Sequence, residues 1–435
     1  MSAIKQSSRN TGPPTARIIL ALMLMALLVV NVIVTHNLIT EPAPGHNDFM
    51  SRWEGARSFF IDGLSPYSDE ASLNIQKRIF GRAVEAGEDP GLFVYPFYTA
   101  LLIAPTVFVS YPWASAIWMV VLEVCLVAAL LLLLDLYRWR PRPITIALLI
   151  LWSLGDYYAA RGLLLGQPSH VVYLMQIIAI WGLFKSRDGL AGAALAISTI
   201  KPQMGYLFVP FLLLWALRAR RWRFIGMFTG VFGVLMLISF ILEPAWFGDW
   251  LAQVRLYPQY TSVAYPDTGS PVWIIMQHYL GLGHVGEWAL NLVILVPMAW
   301  AWFTVLVQRR DERLLWAIVV TLMAGHMVAL RTATPHYVVF NLAIFFYLAH
   351  LSRRRKSLSI AAIMAGSFIL TWLLFIITVQ GRDTLEHPLL FLPLPIILYV
   401  LVWVTRGLWW HESPSVRTIT PEPGLSQKVL SHDAP

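Results

Sequence analysis

The sequence predicts an all-α polytopic membrane protein, a bundle of about 12 transmembrane helices, and three observations support this fold class. Of the 435 residues, 57% are hydrophobic and only 13% are charged, whereas soluble domains carry about 25% charged residues. Apolar runs of about 20 residues recur along the chain, which matches a hydrocarbon core of about 30 Å. The 19 Trp and 16 Tyr suit the aromatic belts at the two membrane surfaces. The lipid bilayer is therefore the predicted solvent and partner.

The net charge of +8 does not indicate a nucleic-acid partner. The basic residues come in short clusters between apolar runs, a pattern typical of membrane topology. Cys125 is the one cysteine, so the chain forms no intrachain disulfide and no cysteine metal cluster. The basic N-terminus, residues 1–16, precedes an apolar run without a small-residue cleavage motif, which predicts a retained first helix.

Twelve apolar runs are predicted to form the helices of the membrane domain. They lie at 17–37, 113–136, 144–159, 168–184, 189–200, 203–217, 224–242, 286–306, 314–331, 336–351, 358–379 and 388–406. Several of these runs are shorter than the roughly 20 residues that a span requires.

One further apolar run, residues 96–110, determines the predicted topology. If it crosses the membrane, every later basic cluster falls outside. If it lies along the outer interface, 22 of the 32 Lys and Arg fall inside, in agreement with the positive-inside rule. The run has 15 residues, including Pro96 and Pro105, and is short for a span. We therefore predict an interfacial helix at 96–110 and two cytoplasmic termini.

This topology gives the chain two long outer loops and a tail. The membrane domain covers residues 17–406. The first outer loop, 38–112, contains nine acids between Glu41 and Asp89. The second, 243–285, is rich in Tyr, Pro and Trp. Residues 407–435 are polar and are predicted to form a disordered cytoplasmic tail.

Asp48 is the first candidate for chemistry, because it lies about ten residues after the first helix and close to the outer membrane surface. If 48–60 is helical, Asp48, Arg52 and Ala56 share one face. Arg52 could then orient the Asp48 carboxylate. The simpler interpretation is a solvated loop acid.

Lys201 is the second candidate, because it follows a run too short to cross the bilayer. Residues 189–200 make about 18 Å of helix, against about 30 Å of hydrocarbon. The turn at Lys201 should therefore lie below the outer surface, where an ionisable residue is a functional candidate. The alternative is a lysine that extends to the headgroups.

Two further segments lie at predicted outer turns. RGLLLGQPSH contains Arg161, Gln167 and His170, and LRTATPHYVV contains Arg331 and His336. Each segment alone is more typical of an interhelical turn or a structural histidine than of a site.

All four segments fall on the predicted outer side of the membrane. Together they supply one carboxylate, several cations, amide donors and imidazoles, while Tyr67 and Tyr95 lie in the first outer loop. This set suits a phosphate-bearing substrate that arrives from the membrane, with a base for a hydroxyl. It suits ion transport poorly, because transporters place charged groups within spans near the midplane.

At these residues the sequence resembles glycosyltransferase family 87, the polyprenyl-phosphate-mannose-dependent mannosyltransferases of the GT-C superfamily. The resemblance covers about residues 40 to 350. It rests on the Asp48-Phe49 block and on five segments in fixed order, which are GLSPY (63–67), FVYPFYTALLIAP (93–105), GQPSHVVYLMQI (166–177), AGAALAISTIKP (191–202) and TPHYVV (334–339).

The resemblance implies a GT-C-like fold in which Asp48 is the catalytic carboxylate. Lys201, His336 and Gln167 would contact the substrates from later outer turns. The implied reaction moves a hexose, mannose, from a polyprenyl-phosphate sugar to a hydroxyl of a glycolipid or glycan acceptor, with inversion, at the outer face of the plasma membrane. The sequence has no DxD motif, so a metal-bridged nucleotide-sugar site is not expected, and no metal or other cofactor is predicted.

Three alternatives stay open at the level of the sequence. The enzyme could use another lipid-linked sugar, such as arabinofuranose or glucose. The chain could instead move intact lipid-linked sugars across the membrane as a transporter or flippase. A non-catalytic scaffold would tolerate changes at Asp48, Lys201 and His336 together.

Overall fold

The computed structural model describes residues 14–43, 48–85, 88, 90–264, 270–329, 332–378 and 386–416. All regular secondary structure within these ranges is helical. Residues 1–13 and 417–435, which include most of the predicted N-terminal segment and of the predicted tail, lie outside the described residues, as does Arg331.

The helices are numbered in chain order. Those of the first half are α1 (Pro14–Thr35), α2 (Asp48–Phe60), α3 (Asp69–Phe80), α4 (Tyr98–Ile103), α5 (Tyr111–Leu136), α6 (Pro143–Gly155), α7 (Tyr157–Leu164), α8 (Ser169–Phe184), α9 (Asp188–Ile197) and α10 (Phe208–Arg218). Those of the second half are α11 (Trp222–Leu242), α12 (Trp246–Ala264), α13 (Pro271–Trp273), α14 (Gly283–Leu306), α15 (Leu314–Val328), α16 (Asn341–Arg353), α17 (Ser357–Thr378), α18 (Pro388–Phe391), α19 (Pro393–Val404) and α20 (Arg406–Glu412).

Five helices in the described part are long and apolar enough to cross a membrane: α1 with its π-helical extension to Thr40, α5, α11, α14 and α17. Two bent pairs, α6 with α7 and α18–α19 with α20, raise this number to seven. The structure therefore supports an α-helical membrane protein, but not the predicted count of 12.

The difference in number arises from short helices. The predicted spans at 168–184, 189–200 and 203–217 correspond to α8, α9 and α10, which have 16, 10 and 11 residues. A helix needs about 20 residues to cross the hydrocarbon. Apolar composition correctly predicted that these segments are helical. The turns between them, such as the one at Lys201, make each helix too short to cross the membrane alone.

The predicted interfacial run 96–110 contains no helix of spanning length. It forms the six-residue α4 and a 3-10 turn at Ala104–Thr106. Its position along the outer interface stays a prediction.

Residues 407–416, which belong to the predicted tail, begin inside α20, where Trp409 is fully buried. The second predicted outer loop contains the 19-residue α12.

The chain divides into two compact units. The first comprises Met1–Leu126, Ala160–Pro168 and Ser239–Ala264, and the second comprises Val127–Ala159, Ser169–Ile238 and Tyr265–Pro435. In the second unit, α15 is buried along nearly its whole length, as its apolar sequence on all faces requires. By contrast, the apolar side chains of α1 and α17 are mostly exposed, as expected where lipid is the solvent.

Candidate active site

Asp48 is held by the residue that follows it. It is the first residue of α2, where the partial positive charge of the helix N-terminus favours a carboxylate. The Phe49 N–H donates a hydrogen bond to the Leu165 carbonyl (3.2 Å). The buried Phe49 ring stacks on Trp118 of α5, with ring centroids 5.2 Å apart. These contacts fix the start of α2 against the turn that follows α7.

That turn requires glycine at position 166. Gly166 has φ +62°, and a Cβ there would lie 2.6 Å from the Phe49 Cβ. Such backbone angles are costly for residues that carry a Cβ. The Trp118 Nε1–H donates to the Gly166 carbonyl (2.9 Å) and holds the turn from the other side. The close approach of Gly166 and Phe49 brings the next residue, Gln167, to Asp48.

The Asp48 carboxylate accepts a hydrogen bond through Oδ2 from Nε2 of Gln167. The Gln167 residue is buried, whereas the Asp48 side chain is 42% exposed. Gln167 therefore orients the carboxylate from the protein side, while part of the carboxylate remains open to a substrate. Asp48 and Gln167, which the sequence analysis selected separately, are thus in contact in the structure.

Arg52 lies one turn after Asp48 on α2, as the helical spacing predicts. Its Nη1 is 4.0 Å from Asp48 Oδ1, and its Nη2 donates to the Tyr95 hydroxyl (2.9 Å). Burial by itself lowers the pKa of the Arg52 guanidinium, but Tyr95 and Asp48 outweigh that effect and raise the pKa above its ordinary value. Arg52 therefore stays charged beside the carboxylate.

Two tyrosines of the first outer loop support Arg52. The Tyr95 ring lies 4.7 Å from the Arg52 Cζ, which adds a cation–π contact to the hydrogen bond. The Tyr67 hydroxyl donates to the Tyr95 carbonyl (2.7 Å). Burial raises the pKa of both phenols, so they remain neutral hydrogen-bonding groups.

Helix α12 also contributes to this group, which the sequence analysis did not predict. Gln253 Nε2 donates to the Tyr67 carbonyl (2.8 Å), and Trp250 Nε1 donates to the Val94 carbonyl (3.2 Å). Tyr257 also contributes to the raised pKa of the Arg52 guanidinium. Trp250, Gln253 and Tyr257 recur at intervals of three and four residues, a helical spacing that could have indicated this face.

Arg161 lies in the last turn of α7, in the same unit and one turn before Gly166. The first unit thus contains six of the predicted site residues, which are Asp48, Arg52, Tyr67, Tyr95, Arg161 and Gln167. Asp48, Arg52, Gln167 and Tyr95 are joined by the contacts described above.

Lys201 lies in the second unit, at a break between helices. A 3-10 turn at Ser198–Ile200 ends α9, and another begins at Pro202. Lys201 itself has φ −130° and ψ 83°, so it interrupts the helix as the sequence predicts. Its side chain is only 2% exposed. The Lys201 side chain is therefore buried within the protein rather than extended into the surroundings, and its functional role stays a prediction.

His336 also lies in the second unit, near a histidine that the sequence analysis did not select. The His336 and His326 rings are 6.2 Å apart, and both residues are buried. His336 Nδ1 accepts a hydrogen bond from the Ala333 N–H (3.4 Å). His326 Nδ1 lies 2.8 Å from the Leu322 carbonyl and must donate to it. The His326 Nε2 is buried without a hydrogen-bond partner among the described residues.

Metal-ligating side chains do not cluster in the described residues: no three of the His, Cys, Asp and Glu groups there come together to hold an ion. The predicted absence of a metal cofactor stays a prediction.

The described part is thus an α-helical membrane protein with a buried polar group around a partly exposed carboxylate. The model of glycosyltransferase family 87 matches residues 93–328. Because this match covers more than half of the chain, the protein belongs to glycosyltransferase family 87 and is a membrane glycosyltransferase. The matched range includes Gln167 and Lys201, and it begins after Asp48 and ends before His336. No curated protein and no solved structure matches the chain.

Proposed function

We propose that this glycosyltransferase moves a hexose, mannose, from a polyprenyl-phosphate sugar to a hydroxyl of a glycolipid or glycan acceptor. The observation that carries this proposal is the geometry at Asp48. A carboxylate with an open face is held by the Gln167 amide and flanked by the Arg52 guanidinium. A positioned carboxylate is the group that a transferase needs to activate a hydroxyl.

Two observations support a lipid-linked donor. The chain has several long apolar helices whose side chains are mostly exposed, as a lipid environment requires. Nucleotides commonly bind at the edges of parallel α/β sheets. All regular secondary structure of the described residues is helical. We therefore propose that the donor enters from the bilayer, in a GT-C-like architecture, with the reaction at the outer face of the plasma membrane.

In the proposed reaction, the acceptor hydroxyl oxygen attacks C1 of the sugar as the C1–O bond to the phosphate breaks. Asp48 takes the proton of the hydroxyl, and the polyprenyl phosphate leaves with the electron pair of the broken bond. A single displacement inverts the anomeric centre, so a β-linked donor gives an α-mannoside. Proton transfer to a positioned base contributes about 10²–10⁴-fold to rates. The reaction as written requires no metal ion.

The remaining site residues are assigned to the donor and to the positioning of the base. We propose that Lys201, with Arg331 or Arg161, stabilises the negative charge that develops on the departing phosphate. His336 and Gln167 would contact donor oxygens. Arg52, with Tyr67 and Tyr95 behind it, positions the Asp48 carboxylate. Lys201 is buried, and an ionisable residue at such depth in a membrane protein is a functional candidate.

The experiment supplies the purified protein and a membrane glycolipid and glycan extract, as the source of the acceptor hydroxyl, with labelled polyprenyl-phosphate mannose. Parallel reactions contain the glucose and arabinofuranose donors and a nucleotide-linked mannose. We expect a glycosylated lipid or glycan from the mannose lipid alone, with an α configuration at its new bond. Product from the nucleotide sugar would contradict the lipid-linked donor. Movement of intact donor across vesicles without any product would indicate a flippase instead.

A further inference from the structure

A second charged site lies in the second unit, and none of its residues belongs to the candidate active site. An open cavity of about 420 Å³ is lined by four residues, His350, Arg353, Arg354 and Glu412. Three of them stand at the C-terminal end of α16, and Glu412 is the last residue of α20. All four are charged or can become charged. The cavity, which we call the Arg354 cavity, therefore has a lining suited to an ionic ligand.

The charges within the Arg354 cavity are only partly compensated. Glu412 contacts His350 Nδ1 through both carboxylate oxygens (2.9 Å each) and accepts from Arg353 Nη2 (2.7 Å). Arg354 is exposed and forms no ion pair within the described chain. Two guanidinium groups of the lining face one carboxylate. One positive charge in the lining thus remains to be matched by a ligand.

The wall that carries Glu412 is firmly packed. Trp409 of α20 is fully buried and stacks on Phe346 of α16, with ring centroids 3.7 Å apart. The Arg313 guanidinium lies 3.8 Å from the Trp410 ring centroid. Because these contacts hold α20 in place, Glu412 has a defined position in the lining of the Arg354 cavity.

Three features favour a position of the Arg354 cavity at the level of lipid headgroups. Helix α20 turns by 69° from the helix before it, a bend that would let it lie along a membrane surface. It contains Trp410, which is partly exposed and belongs to a residue type enriched at that surface. The basic cluster Arg353–Lys356 belongs to the predicted cytoplasmic side, where anionic lipids attract basic segments.

We propose that the Arg354 cavity binds the phosphodiester headgroup of an anionic glycerophospholipid of the cytoplasmic leaflet. Arginine pairs with phosphate oxygens through two parallel N–H donors, and Arg354 is available to do so. A headgroup with one net negative charge matches the one uncompensated positive charge of the lining. This site is separate from the transferase reaction, and it does not depend on the donor assigned above.

The experiment measures lipid retention by native mass spectrometry of the full chain in mixed micelles with phosphatidylglycerol or phosphatidylcholine. Arg354→Gln removes the unpaired guanidinium. Arg355→Gln is the matched control, since Arg355 is an exposed neighbour that does not line the cavity. We expect phosphatidylglycerol to bind the wild type and the Arg355→Gln variant equally, and Arg354→Gln about tenfold more weakly, because this variant loses charge-assisted hydrogen bonds to the phosphate. Arg354→Lys should recover part of the loss, which shows that the fold is intact.

Equal weakening by Arg354→Gln and Arg355→Gln would overturn the site, because it would show general attraction of the basic cluster. Equal retention of phosphatidylcholine would overturn the role of net charge. A parallel titration with glycerol phosphate separates the two sources of phosphate. If glycerol phosphate displaces the lipid at equal concentration, the ligand is a soluble phosphate ester and the lipid assignment is wrong.

Discussion

The Gln167 side chain donates a hydrogen bond to the carboxylate of Asp48, 119 residues earlier in the chain. This contact joins the start of α2 to the turn after α7, so two segments that were predicted separately form one group. The Gln167 amide donates to Asp48 without carrying a charge. The carboxylate can therefore still accept the proton of a hydroxyl. The proposed base is thus oriented by a neutral group and flanked by the charged Arg52.

Replacing Gln167 by Ala should lower the transfer rate without preventing folding. A hydrogen bond to a charged group contributes about 1.5–3 kcal/mol, and the partial exposure of Asp48 reduces that figure. We therefore expect roughly a tenfold loss of turnover, measured as initial rate with saturating donor. Gln277→Ala is the control, because Gln277 Nε2 also donates to a carboxylate, that of Glu287, but lies outside the proposed site. An unchanged rate in Gln167→Ala would remove Gln167 from the site.

Gly166→Ala should be more harmful than the same change at Gly63. Both glycines have positive φ, +62° and +68°, but the new Cβ would meet Phe49 at position 166 and nothing within 4 Å at position 63. Overpacking costs about 1–3 kcal/mol beyond the backbone strain. Thermal melting of the purified variants should show the larger decrease for Gly166→Ala, together with lost activity. Equal decreases would contradict the packing described at Phe49.

Tyr95→Phe should reduce both stability and turnover, because it leaves a buried donor of Arg52 unpaired. An unsatisfied buried donor costs about 1–3 kcal/mol. Tyr137→Phe removes a comparable buried hydroxyl, which donates to the Leu342 carbonyl (2.6 Å), so it should reduce stability alone. Rates normalised to folded protein distinguish the two. If both variants keep full turnover, Arg52 does not position Asp48.

Lys201→Met should lower turnover with the lipid-linked donor and leave the acceptor KM nearly unchanged. The reason is the proposed contact of the ammonium with the departing phosphate, where charge increases in the transition state. Lys185→Met is the control, since Lys185 pairs with Asp135 (2.7 Å) near the helix end. Donor and acceptor titrations with each variant provide the comparison. A wild-type rate for Lys201→Met would leave Lys201 with a structural role.

Much of the fold and of the Asp48 group was predictable from local pattern. The break at Lys201 followed from a short apolar run, and the shared face of Asp48 and Arg52 followed from helical spacing. The predicted number of spans was too high, because every apolar run was counted as a span, although helices such as α9 are shorter than the roughly 20 residues that a span requires. Gln253 and His326 were missed for a different reason, which is that neither belongs to a local sequence motif. Gln253 contacts Tyr67, which is distant in sequence. His326 is of interest only because its Nε2 is buried, and a sequence does not show this.

The Asp48 carboxylate is the centre of the proposed reaction, and its substitution by Asn tests that claim most directly. The measurement is the initial rate of product formation from labelled polyprenyl-phosphate mannose, for wild type, Asp48→Asn and Asp62→Asn. Asp62 is a partly exposed acid of the same loop, paired with Arg57 (3.2 Å). We expect Asp48→Asn to lose about 10²–10⁴-fold in rate, with a normal melting temperature, and Asp62→Asn to retain the wild-type rate. Full activity of well-folded Asp48→Asn would contradict its assignment as the base.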